Sequence, residues 1–169
     1  NSQILQFLIR LDMVLSRPDV AEVRTQRLLQ LDPNDRVANF FMSNFQIERG
    51  EYDLAKESLR RLLKENKDPL VMNSLAWVLQ ETGSLDEASE TITEAIAITD
   101  DSATLWDTYG TILQKQNKLD EAVTAFEKAI ALEKNYPASV IKLANIHLAE
   151  GRTQLALNLV EALSEDMYD

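Results

Sequence analysis

Residues 103–136 read ATLWDTYGTILQKQNKLDEAVTAFEKAIALEKNY, two apolar-periodic segments with a break at Asn117. In both segments apolar residues recur at i, i+3, i+4 and i+7, which is typical of amphipathic helices that bury one face. Asn117 suits the break, because helices often end in the left-handed conformation, which glycine and then asparagine adopt at least cost. The stretch therefore predicts two helices joined by a tight turn.

The same pattern recurs along the whole chain. Ala122 belongs to a series of five alanines, Ala21, Ala55, Ala88, Ala122 and Ala156. Successive members of the series are 34, 33, 34 and 34 residues apart. The break at Asn117 has the counterparts Gly50, Gly83 and Gly151, whereas Ser16 departs from this preference in the first repeat. A repeat of this length is typical of a solenoid in which each repeat contacts only its neighbours. We expect one all-helical array over residues 1–169, with repeats at about 2–35, 36–68, 69–102, 103–136 and 137–169.

Small residues mark the places where the two helices of a repeat should approach most closely. In the fourth repeat these residues are Gly110 and Ala122, and every other repeat has an alanine at the place of Ala122. A larger side chain there would overpack the contact, at a cost of about 1–3 kcal/mol. The small residues are therefore predicted to be structural.

The repeats resemble tetratricopeptide repeats. The fourth repeat carries Trp106, Tyr109, Gly110, Ala122, Phe126 and Ala129 at the places that the family signature prefers, and the third carries Leu75, Ala76, Gly83, Ala88, Ile92 and Ala95. The first repeat is degenerate. The resemblance implies a right-handed superhelical solenoid of antiparallel helix pairs, in which the first helix of each pair lines a concave groove. It also implies a non-enzymatic scaffold that binds a protein or peptide there.

Nine residues at the family's groove positions are the candidate binding residues. They are Phe40, Asn44, Ile47, Asn73, Trp77, Asp107, Thr111, Ile141 and Asn145. Phe40 and Trp77 could anchor a partner, since aromatic side chains dominate interfaces, or could fill gaps between neighbouring helices. The three asparagines could hydrogen-bond a peptide backbone or could be ordinary solvated residues. The carboxylate clamp of chaperone-binding members is not matched, because the equivalent set is Phe40, Asn44, Ser74, Thr104 and Thr108.

Composition argues against several other functions. The chain has 17 basic and 28 acidic residues, a net charge of −11 and no cysteine. Such an acidic chain is a poor ligand for nucleic acid, and Arg10, Lys115 and Lys142 are too few basic groove positions for an RNA-reading repeat. The only histidine, His147, stands where the family places a core tyrosine, so we expect it to pack in the core or at its boundary. No catalytic motif, cofactor motif or metal-ligand spacing occurs, so we expect no enzyme activity, no cofactor and no metal.

The terminal segments suggest alternatives. The helix predicted over residues 2–15 and the one predicted near 153–163 are apolar on more than one face, unlike the polar caps that usually end a solenoid. We expect the chain to be a fragment of a longer protein, with self-association through these helices as the alternative. It could also be the docking part of a larger enzyme. The third and fourth repeats resemble bacterial envelope and exopolysaccharide-export proteins, which implies the cytoplasm or the periplasm. No stretch is apolar enough to insert directly into a membrane.

Overall fold

The computed structural model describes residues 1–134 and 136–165, and these ranges contain ten α-helices and no strand. The helices are α1 (Ser2–Val14), α2 (Pro18–Leu31), α3 (Arg36–Glu48), α4 (Tyr52–Glu65), α5 (Pro69–Glu81), α6 (Leu85–Ile98), α7 (Ala103–Lys115), α8 (Leu119–Leu132), α9 (Pro137–Ala149) and α10 (Thr153–Glu165). Odd-numbered helices are the first helices of the repeats, and even-numbered helices are the second. The predicted all-helical class is confirmed. Residue 135 and residues 166–169, within the predicted fourth and fifth repeats, lie outside the described residues.

Local chemistry explains where the first helices start. The Asp35 carboxylate accepts a hydrogen bond of 2.9 Å from the backbone N–H of Ala38 at the start of α3. Asp68 caps α5 in a similar way, and Pro69 follows it at the first position of that helix. Proline fits there because its missing N–H has no helical partner. Capping by Asp35 and Asp68, together with Pro69, thus defines the starts of α3 and α5.

One left-handed residue follows the first helix of each hairpin. Gly50, Gly83, Gly151 and Asn117 have positive φ, as expected from their residue types. The residue type of Ser16 departs from this preference, but its φ is 54°, so its backbone conformation is the same as that of the other four. The tertiary contacts of α1 and α2 therefore impose the turn on a residue with no intrinsic preference for it.

Contacts between helices divide the chain into two compact units, Asn1–Thr82 and Gly83–Asp169. In the N-terminal unit consecutive helices pack from α1 to α5, and α3 also contacts α5. In the described part of the C-terminal unit consecutive helices pack from α6 to α10. In the N-terminal unit the first helices α3 and α5 thus lie close enough to share side-chain contacts.

The alanine series is buried in the second helix of every hairpin. Ala21, Ala55, Ala88 and Ala122 are fully buried, and Ala156 is almost so. Gly110 has a further constraint, since a Cβ added to it would stand 2.7 Å from the ring of Phe126. The close approach of α7 and α8 at Gly110 therefore depends on the absence of a side chain there.

Candidate partner-binding surface

The predicted binding residues lie on one face of four first helices, because a spacing of four residues returns to the same face of a helix. In the N-terminal unit, α3 carries Phe40, Asn44 and Ile47, and α5 carries Asn73 and Trp77. In the C-terminal unit, α7 carries Asp107 and Thr111, and α9 carries Ile141 and Asn145. We call these positions, with their neighbours Leu70 on α5 and Leu148 on α9, the first-helix faces.

In the N-terminal unit Phe40 lines a cavity among α1, α3, α4 and α5. Its ring is half-buried and contacts Phe41 edge-on, with centroids 6.2 Å apart. The volume of the cavity is about 270 Å³. Residues that line it include Arg10, Arg36, Val37, Phe40, Leu70 and Val71. Phe40 therefore faces an open, mainly apolar space with basic groups at its edge.

Trp77 is the second predicted anchor, and its ring is also half-buried. It packs edge-on against Tyr52, the first residue of α4, with ring centroids 6.0 Å apart. This contact fills space between α5 and the start of α4, while part of the indole stays accessible to solvent. The observed ring contact is with a second helix, so gap filling between neighbouring first helices and anchoring of a partner both stay predictions for Trp77.

The three asparagines differ in their surroundings. Asn145 is exposed on α9, and Asn44 is half-buried on α3 without a side-chain hydrogen bond to the described residues. The side-chain oxygen of Asn73 is buried and has no hydrogen-bond partner among the described residues. A buried polar atom without a partner is costly, by about 1–3 kcal/mol. A partner could remove this cost by donating a hydrogen bond to the side-chain oxygen of Asn73, provided that its donor group reaches that buried oxygen.

In the C-terminal unit Asp107 and Thr111 belong to a polar network between α7 and α9. Asp107 is buried, and its two carboxylate oxygens accept hydrogen bonds of 2.7 Å from the Ser139 hydroxyl and from Lys142 Nζ. Lys142 Nζ also donates to the Thr111 hydroxyl, at 2.9 Å. A buried carboxylate is stable only when paired, so this network ties the two first helices together. Sequence reasoning missed Ser139, although the opposite charges of Asp107 and Lys142 in successive repeats were visible.

The apolar candidates range from half-buried to exposed. Ile141 and Leu148 on α9 are 52% and 51% exposed, and Leu70 on α5 of the N-terminal unit is 65% exposed. Ile47 on α3 is half-buried. The faces of α3, α5 and α9 thus combine apolar and polar groups, whereas the face of α7 contributes only polar groups.

Other groups of chemical interest are structural in position. His147 is buried, as expected. Burial, and to a lesser extent the nearby Glu121 carboxylate, raise the pKa of Tyr109 above its ordinary value of 10.0. Among the described residues no three His, Cys, Asp or Glu side chains are grouped as they would be to hold a metal ion. None of the helices in the described ranges has the length and apolar character needed to cross a membrane.

The hairpins and their exposed faces define an all-α repeat protein of the kind that binds other proteins. The family described as "Tetratricopeptide repeat-like domain" matches residues 30–141, and the chain belongs to this family. Proteins of the family are generally non-enzymatic interaction scaffolds. No curated protein sequence matches the chain.

Solved structures show the same fold. TTC0263, a thermophilic TPR protein of Thermus thermophilus, has 22% identity and a TM-score of 0.83, covering 98% of this chain and 91% of its own. PilF of Pseudomonas aeruginosa has 20% identity and a TM-score of 0.83, covering 97% of this chain and 75% of its own. MamA of Desulfovibrio magneticus RS-1 has 14% identity and a TM-score of 0.76, covering 97% and 93%. At such identities the likeness shows the fold class alone, an all-α solenoid of repeats.

Proposed function

We propose that this chain is a scaffold that holds a protein or peptide segment against its first-helix faces. The observation that carries the proposal is the exposure of Leu70, Ile141 and Leu148 on these faces. Apolar side chains at the contacts between helices are buried, whereas these three are available to a partner. The partner would gain most of its binding energy where aromatic and aliphatic groups are shielded from water.

Polar groups on the same faces fit an extended segment. A primary amide can donate to a peptide carbonyl and accept from a peptide N–H, and Asn44 and Asn145 have no partner among the described residues that would compete. Asp107 and Thr111 are engaged with Lys142, so they shape the face of the C-terminal unit without offering free charge. We therefore assign the main contacts to Phe40, Asn44, Trp77, Ile141 and Asn145.

Site-directed photo-crosslinking tests the proposal, because the chain contains no natural cysteine. Asn44→Cys and Asn145→Cys each provide a single thiol on a first-helix face, one in each unit. Each purified variant is labelled with benzophenone maleimide, mixed with a lysate of the cells from which the protein comes, and irradiated. We expect both variants to cross-link the same protein, identified by mass spectrometry.

Matched thiols on second helices provide the control. Arg27→Cys on α2 and Thr124→Cys on α8 replace exposed residues away from the first-helix faces. These variants should leave the partner uncross-linked while remaining fully helical by circular dichroism. Equal cross-linking from α2 and α8, or none from α3 and α9, would contradict the proposal.

A second candidate function is head-to-tail self-association, favoured by exposure at the terminal helices. Ile4 and Leu11 of α1 are 57% and 39% exposed, although the equivalent residues of the later first helices are buried. Those equivalents are Ala38, Val71, Leu105 and Ser139 for Ile4, and Phe45, Val78, Ile112 and Ile146 for Leu11. On α10, Val160 is 47% exposed, whereas its equivalents Leu59, Ile92 and Phe126 are fully buried.

The hairpins show how these two surfaces could pair. Phe126 on α8 forms a buried cluster with Leu143 and Ile146 of the following first helix, α9. Val160 on α10 stands at the same repeat position as Phe126, and α1 of a second copy could take the place of that following helix. Such a contact joins two different surfaces, so it would produce open chains of molecules or closed rings.

A further inference from the structure

We propose that the cavity at Phe40 binds a large apolar side chain of the partner that has an acidic residue beside it. This inference rests on the proposed scaffold function and specifies the partner's chemistry in the N-terminal unit. It depends on three features: an apolar floor, a limited volume and an excess of positive charge at the edge.

The apolar floor of the cavity is built by side chains of α3, α4 and α5, including Leu62 of α4. Val37 and Phe40 contribute from α3, and Leu70 and Val71 contribute from α5, while Arg10 of α1 lies at the remaining side. The volume is about 270 Å³. Small-molecule and cofactor sites occupy roughly 300–1,000 Å³, so this cavity falls below that range. It suits one large side chain of a peptide laid across the first-helix face.

Two guanidinium groups stand at the edge of this cavity against one carboxylate. Arg36 is held in place, because its Nη1 donates to the Leu62 carbonyl at 3.2 Å and its Nη2 lies 3.7 Å from the Asp68 carboxylate. Arg10 is exposed on α1 and forms no hydrogen bond or ion pair with the described residues. The cavity edge is thus locally positive in a chain whose net charge is −11.

Charge complementarity selects an acidic neighbour for the apolar group. A guanidinium binds a carboxylate through two parallel hydrogen bonds, and such bonds are stronger than neutral ones. The acidic remainder of the chain would repel a polyanion such as nucleic acid, whereas a single Asp or Glu beside an apolar side chain meets Arg10 without that penalty. The occupant is therefore a peptide containing an apolar residue next to Asp or Glu.

Selection from a displayed random-peptide library tests this inference and requires no identified partner. The unmodified chain should enrich peptides that place Leu, Ile, Phe or Trp next to Asp or Glu. One enriched peptide is then synthesised with a fluorescein label, in its original form and with the acidic residue changed to its amide. Fluorescence anisotropy should show about tenfold weaker binding of the amide form, a difference that salt reduces.

Variants of the chain assign the effect to the cavity. Arg10→Glu should weaken binding of the acidic peptide about tenfold and binding of the amide form much less. Arg10→Lys keeps the positive charge but not the planar fork, so it should bind the acidic peptide more tightly than Arg10→Glu and less tightly than the unmodified chain. Phe40→Ala should weaken both peptides. Arg27→Glu makes the same charge change at an exposed site on α2 and should leave binding unchanged. Because Arg10 is exposed, its substitution leaves the fold intact, which circular dichroism verifies.

The results of these experiments distinguish a failure of the proposed peptide specificity from a failure of the proposed scaffold function. Enriched peptides that lack an acidic residue, or that bind Arg10→Glu as tightly as the unmodified chain, overturn the inference and leave the scaffold function standing. Failure to enrich any peptide, with cross-links still formed from Asn44→Cys, also overturns the inference alone. Failure of both experiments overturns the scaffold function as well.

Discussion

Ser16 and Gly50 occupy the same place in consecutive hairpins, and both have positive φ, 54° and 72°. A Cβ added at Gly50 would meet no atom within 4 Å, so the cost of a side chain there comes from backbone conformation alone. For residues other than glycine the left-handed conformation costs about 1–2 kcal/mol. We therefore expect Ser16→Gly to raise the free energy of unfolding by about 1 kcal/mol and Gly50→Ala to lower it by about 1 kcal/mol.

Urea unfolding followed by circular dichroism measures both changes. Asn117→Gly serves as the intermediate control. Because asparagine tolerates the left-handed region better than serine, this substitution should raise the free energy of unfolding by less than Ser16→Gly does. A lower free energy of unfolding for Ser16→Gly would contradict this prediction, because it would mean that the Ser16 side chain stabilises the fold by more than its left-handed backbone costs.

At this scale the sequence predicts most but not all of the turn chemistry. Glycine and asparagine indicate the left-handed turns of four hairpins through their intrinsic preferences. Serine has no such preference, and its conformation at position 16 follows from the packing of α1 on α2. Ser139 was missed as a partner of Asp107 for a similar reason, because it approaches that carboxylate only after two hairpins have stacked.

The contact between α7 and α8 depends on Gly110. Alanine favours a helix over glycine by about 1 kcal/mol, so propensity alone predicts that Gly110→Ala stabilises the protein. The added Cβ would stand 2.7 Å from the Phe126 ring, which is fully buried and cannot move freely. We expect overpacking to prevail and the free energy of unfolding to fall by about 1–3 kcal/mol.

A double-mutant cycle with Phe126→Leu identifies the cause. Phe126→Leu alone should destabilise through the cavity that it leaves, but in its presence Gly110→Ala should cost much less than in the unmodified chain. Urea unfolding of the four proteins supplies the coupling energy. Additive effects would show that the ring of Phe126 is not what excludes a side chain at Gly110.

The contact between α7 and α9 depends on the ion pair of Asp107 and Lys142. Lys142→Met keeps most of the apolar stem but leaves the buried carboxylate with the Ser139 hydroxyl alone. We expect the free energy of unfolding to fall by about 1–3 kcal/mol, with partial recovery when Asp107→Asn is added, because an amide needs no cationic partner. The exposed Lys118→Met is the control. Equal stability of the Lys142 and Lys118 variants in urea unfolding would contradict this role of the pair.

At the level of elements the sequence was sufficient for the helices and insufficient for the site. The small residues at a fixed period, together with capping and proline, predict where each first helix begins, and the structure places those starts at Ser2, Arg36, Pro69, Ala103 and Pro137. The cavity at Phe40 requires side chains from four helices, α1, α3, α4 and α5, which come together only in the folded chain. Periodicity identifies the face on which such a cavity can lie, but neither its volume nor the surroundings of Arg10 follow from spacing.

For the whole molecule, the exposed apolar side chains of α1 favour self-association. Ile4, Phe7, Leu11 and Val14 follow a three-four-three spacing, so they form one continuous stripe along that helix. In the later first helices the two positions that Ile4 and Leu11 occupy are buried. Burying such a stripe would release about 25 cal/mol for each Å² of apolar surface, which favours association at high concentration.

Multi-angle light scattering over a range of concentrations should therefore show a mass that rises above that of the monomer. Phe7→Glu combined with Val14→Glu places two charges in the stripe, and it should keep the protein monomeric at concentrations where the unmodified chain associates. Val23→Glu on α2 is the control, because Val23 is as exposed as Phe7, at 65%, but lies outside the stripe. The repulsion expected between chains of net charge −11 makes added salt a second variable, and the mass should increase with ionic strength. A constant monomer mass at every concentration and salt level would exclude head-to-tail association and leave the first-helix faces as the one interaction surface proposed for this chain.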